Sequence, residues 1–88
     1  MKLKYNFSVN QIGESFVAVP LENGAIEFNG ILKLNDSAAF IVEQLRSEIS
    51  YESLIITVAD HFSCDKDEAK ENIDSVLENL KGSGLLVE

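Results

Sequence analysis

Apolar positions recur every second residue from Lys2 to Leu34, and every third or fourth residue beyond Asn35. Leu3, Tyr5, Phe7 and Val9 alternate with Lys4, Asn6 and Ser8, the pattern of a half-buried strand. Asn10 to Glu14 contains Gly13 and predicts a turn. Ser15 to Val19 predicts a second, short strand, limited by Pro20, which has no N–H to give to a ladder. Glu22-Asn23-Gly24 predicts another turn, because Asn-Gly accepts positive φ. Ile26, Phe28, Leu32 and Leu34 then share one phase of a third strand. Gly30 interrupts it and Ile31 falls out of phase, which predicts a bulge or a close backbone approach.

The period then becomes helical. Asn35 or Asp36 caps a first helix with Ala38, Ile41, Val42 and Leu45 on its apolar face. Ser50 caps a second, whose stripe is Leu54, Ile55, Val58, Ala59 and Phe62. After a short connection at Ser63 to Asp65, Asp65 caps a third helix, with Glu68 placed for a capping box. Its stripe is Ala69, Ile73, Val76, Leu77 and Leu80, and Gly82-Ser83-Gly84 ends it. Leu85, Leu86 and Val87 fold back onto an apolar surface or add a short strand. The expected architecture is α+β and winged helix-turn-helix-like: an N-terminal three-stranded antiparallel sheet followed by three helices. Residues 1–88 are expected to form a single domain, with strands over about 3–34 and helices over about 36–82.

A chain of 88 residues, 45% apolar and without tryptophan, supports one modest core. A surface groove suits it better than a deep catalytic cavity. The formal net charge is −8, and all of the excess lies from Leu34 onward, where twelve acids face four cations. Nucleic-acid binding draws most of its affinity from Lys and Arg on phosphates, so no nucleic-acid partner is expected. Cys64 is the single cysteine and cannot form an intramolecular disulfide, which suits a reducing compartment. No apolar stretch has the length of a signal peptide or a membrane span. A cytoplasmic location is therefore expected, with no membrane partner.

Few residues could carry chemistry. His61 and Cys64 form H-x-x-C, but no second His or Cys completes a metal site, so no metal is expected. No nucleophile has a base and an orienting group, and no phosphate-binding glycine loop is present. Each glycine has a turn, bulge or cap explanation. An enzyme and a cofactor are both unexpected.

The run from Ile31 to Val87 resembles the PqqD-like family. The likeness lies in Leu34-Asn35-Asp36-Ser37-Ala38-Ala39, in the middle helix with SLIITVADHF, and in the closing Leu80 to Leu86 stretch, LKGSGLL. Two turns depart from the family pattern: Asp36 stands where proline is common, and Arg46 to Ser50 replaces an Asp-Gly turn. The resemblance implies a winged helix-turn-helix and a peptide chaperone, a recognition element for ribosomally made, post-translationally modified peptides. It implies that the precursor's leader adds antiparallel to the third strand. Leader side chains would enter a groove between that strand and the last helix. It also implies a peptide-modifying enzyme as second partner, often a radical S-adenosylmethionine enzyme.

An exposed strand edge is independently suited to this role, because its unpaired N–H and C=O groups template another strand. The expected edge is Glu27, Phe28, Asn29, Gly30, Ile31, Leu32 and Lys33. The stripe of Ile73, Val76, Leu77 and Leu80 is expected to be mainly core, with one partly exposed edge of it, Ile73 and Val76 first, forming the opposite wall. The same edge could also pair two copies as a homodimer, which is compatible with peptide binding. The alternative of a winged-helix DNA-binding regulator is disfavoured, because Asp65 to Lys81 carries more acids than bases around Asn72 and Asn79. On the peptide reading, Ile31→Asp abolishes peptide binding while far-ultraviolet dichroism stays that of a folded protein. An unfolded Ile31→Asp variant would instead place Ile31 in the core.

Overall fold

The computed structural model describes residues 1–21 and 32–87. The expected Glu22-Asn23-Gly24 turn, the strand from Ile26 to Ile31 and the bulge at Gly30 lie outside the described residues. Described elements, in chain order, are β1 (Lys2–Leu3), β2 (Phe7–Ile12), β3 (Ser15–Pro20), β4 (Leu32–Leu34), α1 (Asp36–Gln44), α2 (Tyr51–Phe62), α3 (Lys66–Gly82) and β5 (Leu86–Val87). The fold is α+β, with an antiparallel sheet of order β2-β3-β4 followed by three helices.

The alternating run from Leu3 to Val9 is not one strand. The chain bends after Leu3, and β1 leaves the main sheet to pair antiparallel with β5. Both Leu3 and Phe7 stay buried, so the period-two pattern is kept across the bend. Backbone bonds hold the strand in its new place: Leu3 N–H donates to Leu45 C=O at 2.9 Å, and Lys4 N–H to Leu85 C=O at 2.8 Å. The following turn is also tighter than Asn10 to Glu14. Ile12 pairs with Ser15, so Gly13-Glu14 forms a two-residue loop. Gly13 sits at φ +64°, the sense that a two-residue hairpin demands of its first loop residue.

Three side-chain caps set the helix starts. Asn35 Oδ1 accepts from Ala38 N–H at 2.8 Å, Ser50 Oγ from Ser53 N–H at 3.1 Å, and Asp65 Oδ1 from Glu68 N–H at 2.8 Å. Asn35, not Asp36, is therefore the first cap. Asp65 makes its half of the expected capping box. At the far end of α3, Leu85 N–H donates to Leu80 C=O at 2.9 Å and Gly84 N–H to Lys81 C=O at 3.1 Å. With Gly84 at φ +71°, this is a Schellman ending. It turns the chain so that Leu85 enters the core and β5 reaches β1. The end of α2 has the same bonds, Cys64 N–H to Ala59 C=O and Ser63 N–H to Asp60 C=O, but with Ser63 at φ +51° in place of glycine. No glycine marks that stop in the sequence.

One apolar cluster joins the sheet to all three helices. Phe7, Ala18, Ile41, Leu45, Leu54, Val58, Ala69, Ile73, Leu80 and Leu85 are at most 2% exposed. On α1 the buried alanine is Ala39, not Ala38, because Ala38 turns toward the surface beside β4. Ala59 and Phe62 on α2 and Val76 on α3 are only partly buried. Among the described residues no polar side chain is buried, so any recognition chemistry belongs to the surface.

Tyr51 Oη donates to Asp74 Oδ1, tying the first turn of α2 to the middle of α3. This hydrogen bond, helped by some desolvation and by the charges of Asp74 and Glu52, pushes the Tyr51 hydroxyl up to about 12. The folded state thus holds this proton more tightly than the unfolded state, whose tyrosines titrate near 10.0. The contribution is fully present below pH 10 and is lost as pH rises toward 12. Ultraviolet titration should show one tyrosine ionising late, and Asp74→Ala should return it toward the ordinary value. An unchanged titration in the variant contradicts the pairing.

Leu77 is 7% exposed within the cluster. Leu77→Ala should lower unfolding free energy by about 2–5 kcal/mol in denaturant melts, as buried truncations do. An unchanged midpoint would remove Leu77 from the core.

Candidate functional site

Among the described residues β4 pairs only with β3, with Phe16 opposite Leu34, Val17 opposite Lys33 and Ala18 opposite Leu32. In an antiparallel pair, alternate residues point their N–H and C=O groups away from the partner. Among the described residues, the second edge of β4 therefore has no strand partner. A groove of about 400 Å³ runs beside it. Leu32, Lys33 and Leu34 form one wall, Ala38 and Val42 of α1 contribute to the floor, and Asn72, Ser75, Val76, Asn79 and Leu80 of α3 form the opposite wall.

The wall chemistry follows from helix geometry. Residues spaced by three and four share a face of α3, so Asn72, Ser75, Val76, Asn79 and Ser83 turn toward β4 together. Ile73 and Leu77 lie on the adjacent face and point into the core, at 0% and 7% exposure. They back the groove wall and do not line it, contrary to their expected place in it. Leu32, Lys33, Val76 and Leu80 do line the groove. Glu27, Phe28, Asn29, Gly30 and Ile31 lie outside the described residues.

The sequence reading missed the uncharged polar stripe of Asn72, Ser75, Asn79 and Ser83, and also Leu34, Ala38 and Val42. A signal for the stripe was available. The other polar positions of α3 are nearly all charged, and these four share one helical phase. Among the described residues no acid lines the groove, and Lys33 is the one charged residue there. Asp67, Glu68, Glu71, Asp74 and Glu78 all lie elsewhere on α3.

Neither member of the H-x-x-C pair sits in this groove. His61 stacks on Phe40 with centroids 3.8 Å apart, and Cys64 is partly buried against the core. Among the described residues no group of three or more His, Cys, Asp or Glu is placed to hold a metal ion.

The sequence model for the family described as Coenzyme PQQ synthesis protein D (PqqD) matches residues 8–86. The chain belongs to the PqqD family. The match begins in β2 and ends in β5, so it covers the three-stranded sheet, every helix and the groove. PqqD proteins are non-catalytic chaperones that bind ribosomally made precursor peptides and work with radical S-adenosylmethionine enzymes. A precursor peptide and a modifying enzyme are thus the partners that PqqD membership implies. No curated protein and no solved structure matches the chain. Among the described residues no helix is long and apolar enough to cross a membrane.

Proposed function

We propose that this chain binds the leader of a precursor peptide as an antiparallel strand on β4 and presents the bound precursor to a radical S-adenosylmethionine enzyme. The observation that carries this reading is that, among the described residues, β4 pairs on one side only, beside a groove whose walls are apolar and uncharged except for Lys33. Main-chain bonds to β4 supply affinity without regard to leader sequence, and alternate leader side chains entering the groove supply selectivity. The inward leader positions favour apolar or small polar side chains, matched by Val76 and Leu80 on one hand and by Asn72, Ser75 and Asn79 on the other.

The magnitudes suit a carrier that must let go. Each net hydrogen bond contributes about 0.5–1.5 kcal/mol, and each well-buried apolar side chain about 1.5–3 kcal/mol. A few of each, less about 2–5 kcal/mol for ordering a flexible leader, leave modest and reversible binding.

Val76 is half-buried at the groove wall, so a charge there reaches the groove without entering the core. In calorimetric titration with a synthetic leader of the precursor, Val76→Asp should weaken binding by at least about tenfold, or 1.4 kcal/mol. Glu71→Lys, outside the groove, should leave affinity unchanged. Normal leader affinity in a folded Val76→Asp variant would overturn the groove assignment.

A further inference from the structure

A second concave surface lies across α1 from the leader groove. It encloses about 480 Å³ and takes Asp36, Phe40 and Glu43 from α1, whereas the leader groove takes Ser37, Ala38 and Val42 from the same helix. Its rings pack on one another as an aromatic cluster. Phe40 stacks on His61 with centroids 3.8 Å apart and planes 13° from parallel. Phe62 meets both rings edge-on, at 5.4 Å from Phe40 and 4.7 Å from His61. Phe16 of β3 lines the same cleft. None of these rings is fully buried, and His61 is exposed.

The charges of the cleft are one-sided. Asp36 and Glu43 line it, and among the described residues no Lys or Arg does. Glu43 already holds a guanidinium: Arg46 Nε and Nη2 donate to its two carboxylate oxygens, each at 2.9 Å. Asp36 makes no ion pair among the described residues. A flat aromatic surface beside carboxylates favours a planar, delocalised cation that can stack on a ring and bond a carboxylate at once. Lysine meets only half of that demand, because its ammonium is a strongly hydrated point charge.

We propose that this cleft is a second docking site, taking an arginine side chain presented by a partner protein, with the guanidinium stacked on an outer ring face of the Phe40–His61 pair and paired with Asp36. Aromatic and arginine contacts of this kind dominate the energetics of many interfaces. The excess negative charge of the chain steers such a cationic segment toward it. The proposal stands apart from leader binding, since the cleft shares no residue with the leader groove.

Two-dimensional nuclear magnetic resonance of the full chain tests it, with N-acetyl-arginine amide as the probe and N-acetyl-norleucine amide as the control. The arginine probe should shift Asp36, Phe40, His61 and Phe62 selectively, and added salt should reduce the effect. His61→Ala and Asp36→Asn should each lose most of it, while the remaining resonances report an intact fold. Equal shifts from norleucine amide would overturn the arginine assignment, as would shifts spread evenly over the acidic outer face of α3. Dilution-dependent shifts at the same residues without any probe would also overturn it, by assigning the cleft to a second copy of the chain. Shifts at Leu32–Leu34 instead would report on the leader groove and would count against the cleft.

Discussion

The junction at Asn35 sets the geometry on which recognition depends. β4 ends at Leu34, and the Asn35 carboxamide closes the first turn of α1 one residue later. That short link fixes α1 beneath the free edge of β4, and α1 with the sheet then fixes where α3 can pack. The result, among the described residues, is a strand paired on one edge only, facing a helix at side-chain distance. Strand edges are usually protected against pairing with other chains. Among the described residues the edge is bordered by half-buried leucines and an uncharged helical face, the surroundings that the proposed peptide strand would meet.

The rest of the chain keeps α3 in register with that edge. The Schellman ending of α3 returns Leu85 to the core and lets β5 clasp β1, while Tyr51 ties α2 to Asp74. A wall built from one helical face depends on helix rotation. Turning α3 by a single residue would replace Val76 and Asn79 with Leu77 and Leu80, or with Ser75 and Glu78. The apolar anchors at Ile73, Leu77 and Leu80 prevent that rotation. On the proposed function they serve recognition by positioning the wall, although Ile73 and Leu77 do not reach the groove. Charge is partitioned by the same rotation: the acids of α3 fall outside the groove, and those of α1 border the aromatic cleft.

Most of the helical half was legible in the sequence because its signals are local. Asn35, Ser50 and Asp65 announce themselves as short oxygen-bearing caps, and Gly84 as a left-handed stop. What failed was decided by tertiary contacts. The alternation of Leu3 to Val9 is blind to which partner a strand chooses, so the departure of β1 toward β5 could not be seen. The stop at Ser63 was placed by the stripe ending at Phe62, but without a glycine its left-handed turn was not visible. On the helices, a 3.6-residue period identifies a broad apolar face but not which margin of it meets a neighbour. This is why Ile73 was expected at the groove and Ala38 in the core, and each lies where the other was expected. The stripe of Asn72, Ser75, Asn79 and Ser83 was readable by phase and was hidden by attention to apolar positions.

The central claim is that β4 offers its free edge to a peptide strand. Amide hydrogen exchange of the chain, followed residue by residue with and without a precursor leader, tests it most directly. The account predicts slowed exchange at the outward-facing amides of Leu32 to Leu34, with the β3-facing amides of the same strand already protected and little changed. Protection confined to the acidic face of α3 or to the aromatic cleft, with the β4 amides unaffected, would contradict it.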